Sequence, residues 1–211
     1  ANNLPVLLTS TSEVYGVAED KVWTEETKSL IGPTTKLRWS YAASKMIDEF
    51  IALSLYEEKK VSPIIVRLFN IIGPNQLSKF GMVVPKFIEA AINDEDILIH
   101  GDGSQSRSFT WVDDVVTYLI KLAELKAYGE IFNIGQTEEI TIKELAELII
   151  AKSNSNSKII YKSHEEVFGK SFEDPNRRTP GIEKIVEFTG IKPSENIEFM
   201  VENIINYKQN N

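Results

Sequence analysis

Apolar residues are grouped along the chain in short continuous runs and in longer periodic stretches. Leu4-Pro5-Val6-Leu7-Leu8-Thr9 is apolar without alternation, the pattern of a strand buried on both faces of a parallel sheet. Hydroxyl-rich Ser10–Gly16 follows, and 17–38 is irregular, with Pro33 and mixed charge. Trp39–Tyr56 is periodic and predicts a helix. Ala43, Ile47, Phe50 and Ser54 make one stripe on it, and Met46, Phe50 and Leu53 an adjacent one. The helix is therefore expected to bury two sides, one on a sheet and one on a partner helix. Ser62–Ile72 is a second continuous β-branched run ending at Gly73-Pro74-Asn75, so strand, helix and strand make a βαβ unit of a parallel sheet.

The texture changes after Gly73. Helices are expected at Val83–Asn93, at Val115–Leu125 with Asp113 or Asp114 as cap, and at Ile142–Lys152 with Thr141 and Glu144 as a capping box. Two more follow at Ile182–Thr189 and Glu195–Tyr207, separated by Gly190. Strands are expected at Ile97–His100, Ser108–Val112, Glu130–Gly135 and Lys158–Lys162. Ser163–Pro180 reads as irregular, and the tail from Lys208 as frayed.

Composition narrows the function classes. A hydrophobic share of 42% and a charged share of 26% are ordinary for a soluble globular protein, and no apolar run is long enough to span a bilayer. A net charge of -8 without a basic block argues against nucleic acid as the main partner, but not against an anionic small molecule. Cysteine is absent, which removes disulfides and cysteine metal sites and makes a cytoplasmic location the expectation. With His100 and His164 the only histidines, no histidine-rich metal site is expected. The first residues, Ala-Asn-Asn-Leu-Pro, are no signal peptide and enter a strand almost at once, so the chain reads as the middle of something longer.

The chemistry centres on Tyr41 and Lys45, four residues apart and so on one helix face. An ammonium near a phenol favours phenolate and lowers the tyrosine pKa from about 10 towards the range of a general base. On its own this pair is common on amphipathic helices. Its company is not: a hydroxyl cluster holding Thr11 follows the preceding strand, and Arg67-Leu68-Phe69-Asn70 ends the next.

This order, together with Ser10–Gly16, Gly101–Asp114, Phe132–Gly135 and Arg178–Pro180, resembles the extended short-chain dehydrogenase/reductases, the NAD-dependent epimerase/dehydratase family. The resemblance implies an α/β fold: the C-terminal part of a Rossmann-like doubly wound parallel sheet plus a smaller α/β substrate-binding domain. Residues 1–75 would be the partial dinucleotide-binding domain. Residues 76–211 would be mainly substrate domain, with some segments returning to the sheet. It also implies NAD, a nucleotide-diphosphate sugar, oxidation at the sugar C4 and a homodimer packed through the Tyr-Lys helix. Tyr41 would be the base, with Lys45 lowering its pKa and holding the nicotinamide ribose, and Thr11 orienting the C4 hydroxyl. Phe69 would join Tyr41 and Lys45 in the cofactor site. Asn70, Arg107 and Arg178 would hold the diphosphate, and Val83 and His100 would lie near the base of the nucleotide.

One departure stands out. No Gly-x-x-Gly-x-x-Gly turn occurs anywhere, so the first part of the dinucleotide domain is expected to be missing and the chain alone to bind NAD poorly. Within the family, Ser12 stands where 4,6-dehydratases carry an Asp, which disfavours dehydration. Thr-Ser-Glu-Val-Tyr-Gly resembles the UDP-glucuronate decarboxylases. Lys36–Tyr41 is similar to the lipid A pathway decarboxylase and to UDP-apiose/xylose synthase. There Ser12, Glu13 and Arg107 would act at the sugar carboxylate. A nucleotide-sugar 4-epimerase is the alternative, and a non-catalytic fragment lacking its cofactor half is the third reading.

Overall fold

In a computed structural model, which describes residues 3–78, 82–163 and 179–210, the runs become strands and helices in the expected order. β1 (Leu4–Thr11) passes through a 3-10 turn (Ser12–Tyr15) and a long loop to α1 (Trp39–Glu57) and β2 (Val61–Leu68). Next come β3 (Ile71–Ile72), α2 (Val83–Ile92), β4 (Ile97–His100), β5 (Ser106–Ser108) and β6 (Thr110–Trp111). The chain continues through α3 (Val112–Glu124), β7 (Glu130–Ile134), β8 (Glu139–Thr141), α4 (Ile142–Ser153) and β9 (Ile159–Lys162). The last described elements are α5 (Glu183–Thr189) and α6 (Ile197–Asn210).

β1, β2 and β7 form a parallel sheet in that order, with Leu8 opposite Ile65 and Val66 opposite Phe132. Central β2 is buried on both faces, as its unbroken apolar run requires. Ile64 and Val66 point to one face, where Val115, Tyr118 and Leu122 of α3 and Ile185 of α5 complete a core. The alternate residue Arg67 points to the other face, under α1. Near its end, Tyr15, Trp23 and Phe69 stack with ring centroids 5.3–6.4 Å apart. A separate apolar core forms where α2, α4 and α6 meet β4, around Ile88, Ile97, Ile99, Leu145, Ile149 and Met200. β4 pairs with β9 in parallel, and β5 with β8 antiparallel.

Several local expectations change. The run 62–72 is two strands, because Asn70 takes φ 35, in the left-handed region that asparagine tolerates better than most residues. The chain turns there out of the sheet, and β3 pairs with β6. α3 starts earlier than expected and has Trp111, with no side-chain cap, at its N-terminus. Asp113 and Asp114 lie in its first turn, where negative charge suits the helix dipole. α6 runs on to Asn210, so residues 208–210 are helical rather than frayed. The capping box on α4 is present: Glu144 N donates to Thr141 Oγ1 at 3.1 Å, and Thr141 N donates to Glu144 Oε2 at 2.9 Å. α1 buries only Trp39, Ala42 and Glu49, while Ile47, Phe50 and Ile51 on its outer face are more than half exposed.

Candidate active site

A cavity of about 1230 Å³ opens at the C-terminal ends of β1 and β2 and extends to α2 and β4. This is the end of a parallel α/β sheet at which ligands bind. Its wall brings together eight residues singled out from the sequence: Thr11, Ser12, Glu13, Tyr41, Asn70, Val83, His100 and Arg107. They come from β1, its 3-10 turn, α1, the β2 exit, α2, β4 and β5, so nearly a hundred residues of sequence converge on one space.

Thr11 caps the 3-10 turn, its Oγ1 accepting from Glu13 N at 3.2 Å. That bond uses a lone pair and leaves the hydroxyl proton to be donated into the cavity. Glu13 lies 3.8 Å from Arg38, whose guanidinium stacks 4.7 Å from the Trp39 ring centroid. Tyr41 is exposed on the first turn of α1, facing the cavity from the helix. Lys45, one turn on, donates to Asp48 at 2.9 Å and is not on the cavity wall. Asn70 donates to Ser108 O at 2.9 Å, tying the β2 exit to β5. Arg107 is buried and donates to Ser106 O at 2.6 Å. The His100 carbonyl accepts from Gln105 at 3.0 Å, which closes the turn after β4.

Two residues stand apart from this set. Phe69 is a core residue and not a cavity residue: its ring is fully buried against Tyr15 and Trp23. Its N–H donates to Ile134 O and its carbonyl accepts from Thr110 Oγ1, so neither side chain nor backbone faces the cavity. Phe69, expected beside the cofactor, is packed in the core next to Asn70. Arg178 lies outside the described residues.

Beneath the cavity lies a polar network that the spacing of the sequence does not announce. Arg67 Nη2 donates to Glu49 Oε2 at 2.7 Å, and Nε bridges both Glu49 oxygens at 3.1 and 3.3 Å. Ser10 Oγ donates to the same carboxylate. Arg67 Nη1 reaches Tyr15 Oη at 2.9 Å and Glu25 O at 3.1 Å, and Tyr15 Oη donates to Asn133 Oδ1 at 2.7 Å. Burial disfavours the Arg67 charge, but the hydrogen bonds to Glu49 and the fields of Tyr15 and Glu49 outweigh it and hold its pKa above the ordinary arginine value. Burial also pushes the Tyr15 phenol above its usual value, against the pull of Arg67. The signals in the sequence were an arginine inside an otherwise apolar strand and a glutamate continuing the Tyr41, Lys45 stripe by another four residues.

The model of the NAD dependent epimerase/dehydratase family matches residues 1–135. A UDP-N-acetyl-alpha-D-glucosaminuronate decarboxylase from Bacillus cytotoxicus is 39% identical over 190 residues, covering 90% of this chain and 59% of that protein. UDP-glucuronic acid decarboxylase 4 from Arabidopsis thaliana is 34% identical over 187 residues, covering 89% of this chain and 40% of that protein. The chain thus spans 59% and 40% of the length of these relatives. The crystal structure of a UDP-glucuronic acid 4-epimerase from Bacillus cereus, in complex with UDP-glucuronic acid and NAD, superposes with a TM-score of 0.84. That match has 21% identity and covers 98% of this chain and 62% of the other, a likeness of fold. Strand order, cavity wall and family match agree, and the chain belongs to the NAD dependent epimerase/dehydratase family.

Proposed function

We propose that this chain carries the catalytic base and much of the substrate site of an enzyme that oxidises a nucleotide-diphosphate uronic acid at C4 and decarboxylates it. The observation that carries this reading is the convergence of Thr11, Ser12, Glu13 and Tyr41 on one cavity that reaches Arg107 and His100. Similarity to two uronate decarboxylases supports the choice of reaction. A 4-epimerase of the same substrate class is the second reading, supported by the likeness of fold to a UDP-glucuronic acid 4-epimerase.

The residues present fit the nicotinamide-ribose end of NAD: a phenol and an ammonium on one helix face, beside the C-terminal ends of parallel strands. The sequence has no Gly-x-x-Gly-x-x-Gly turn, so on this reading the pyrophosphate is held by residues other than these. When bound, NAD supplies the hydride acceptor for C4. Tyr41 takes the C4 hydroxyl proton as general base, with the Lys45 ammonium one helical turn away on the same face. Thr11 donates its hydroxyl proton to the same sugar oxygen and fixes its direction. The C4 ketone lies β to the C6 carboxylate. The C5–C6 bond then breaks with its electron pair delocalised into the carbonyl, and carbon dioxide leaves, which gives the 4-keto-pentose nucleotide, or the pentose nucleotide where the hydride would be returned to C4. Ser12 and Glu13 position that carboxylate end, and C5 takes its proton from solvent. Arg107, with its planar fork, binds diphosphate oxygens or the sugar carboxylate, and Asn70 and Arg178 join it on the diphosphate. Val83 and His100 flank the base of the nucleotide.

The outer face of α1, with Ile47, Phe50 and Ile51 exposed, supports a homodimer packed through this helix. Among the described residues no helix is long and apolar enough to cross a membrane, and a cytoplasmic location is part of the proposal. The test is product analysis: full-length enzyme with NAD and UDP-glucuronate or UDP-N-acetylglucosaminuronate should release carbon dioxide and give a pentose or 4-keto-pentose nucleotide. Release of only the C4 epimer, with the carboxylate intact, sinks the decarboxylase reading in favour of the second.

A further inference from the structure

α1 has few fully buried apolar positions. Its buried positions are Trp39, Ala42 and Glu49, and only Met46 joins the aromatic cluster beneath it. Apolar contact of this kind is non-directional and leaves a helix able to slide or roll over a sheet. The Glu49 carboxylate is different. Three hydrogen bonds from Arg67 and one from Ser10 fix it in a set orientation, with side-chain exposures of 7% for Glu49 and 11% for Arg67. Each partner adjoins a residue of the site. Ser10 precedes Thr11, Arg67 lies three residues before Asn70, and Glu49 is one and two helical turns along the same stripe from Lys45 and Tyr41. Arg67 is itself braced from behind by Tyr15 and, through it, by Asn133 of β7.

We infer that the Ser10–Glu49–Arg67 cluster is a positioning device, which sets the axial and rotational register of α1 against β1 and β2 and so the distance between the Tyr41 phenol and the Thr11 hydroxyl. Glu49 and Arg67 act through Tyr41 and Thr11. Buried ion pairs add little net stability compared with apolar side chains of similar size, but their directionality selects one arrangement. The inference rests on the reading of Tyr41 as the base.

The test uses the full-length, NAD-loaded enzyme and separates kcat from KM. Glu49→Gln keeps the shape but leaves Arg67 without its counter-charge. The double variant Glu49→Met with Arg67→Met replaces the pair by apolar side chains and keeps the fold. Misplacing a catalytic group by about 1 Å costs on the order of 10²-fold. Both variants are expected to lose kcat by about that factor with KM changed less than about threefold. A C4-deuterated substrate should then show a larger isotope effect than in the wild type. Glu49→Asp, which retains the charge, should recover part of the loss. In crystals of the double variant the Tyr41–Thr11 separation should differ from that of the parent. A folded double variant with wild-type kcat, isotope effect and Tyr41–Thr11 separation overturns the inference. So does a loss of kcat that only follows the fraction unfolded. Oxidation at C4 is common to decarboxylation and 4-epimerisation, so NADH fluorescence in a single turnover scores the cluster on either reaction. Carbon dioxide release scores the decarboxylase reading alone.

Discussion

At the scale of the residue, the cavity wall carries Thr11, Glu13 and Tyr41, while Glu49 and Arg67 lie off it. Thr11 spends a lone pair on Glu13 N, so in the proposed reaction its contribution is the proton it can donate. Thr11→Val preserves size and β-branching but removes that donor. Loss of one preorganised donor costs about 10²–10³-fold in kcat, and Thr11→Val is expected to fall in that range with a small change in KM, measured by steady-state kinetics. That Tyr41 and Thr11 face one cavity was legible in the sequence because the signals are local: a helix-start pattern, and a hydroxyl cluster after a strand. The Arg67–Glu49 pair was not, because its partners are 18 residues apart and only tertiary packing places β2 beneath α1. The same limit hid the packing of Phe69. Adjacent to Asn70 in sequence, it turns to the opposite side and stacks on Tyr15 and Trp23.

At the scale of the element, the helix ends are written in the sequence where the cap is a side chain, and obscured where it is not. Thr141 and Glu144 specify the start of α4, and their reciprocal bonds are present. Thr141→Ala should destabilise the protein by about 1 kcal/mol, measured by denaturant unfolding. Hydrogen bonds from the Thr141 backbone and side chain hold the Glu144 carboxyl below its ordinary range. A depressed folded-state pKa gives stability that is present above the unfolded value and lost as pH falls through the folded one. Amide protection factors in the first turn of α4, taken relative to intrinsic exchange at each pH, should therefore fall on acidification through the carboxylate range, and Glu144→Gln should flatten that response. No such cap marks α3, whose start was placed too late because Asp113 and Asp114 look like caps but sit inside the first turn. The break between β2 and β3 was hidden for another reason: Asn70 takes a left-handed conformation within a run whose apolar pattern continues unbroken.

At the scale of the whole molecule, two apolar cores flank the cavity, one on the parallel sheet and one where α2, α4 and α6 enclose β4. The parallel βαβ arrangement was legible because continuous β-branched runs alternate with helical periodicity. The joining of β7 to β2 and the meeting of β5 with β8 depend on distant pairing. Ile88 is fully buried between helices, and Ile88→Ala should cost about 2–5 kcal/mol by denaturant unfolding. The exposed Ile47, Phe50 and Ile51 give the proposed dimer its own test. Phe50→Glu should shift the full-length enzyme to monomer in sedimentation, and an unchanged mass would place the dimer contact elsewhere. The central claim is that C4 oxidation occurs in the cavity at the end of β1 and β2 with Tyr41 as base. The most direct measurement is NADH formation in a single turnover of full-length enzyme with NAD and UDP-uronate, comparing wild type with Tyr41→Phe. General-base catalysis contributes about 10²–10⁴-fold, so the rate in Tyr41→Phe is predicted to drop by that factor. NADH formation at the wild-type rate in Tyr41→Phe would contradict the assignment.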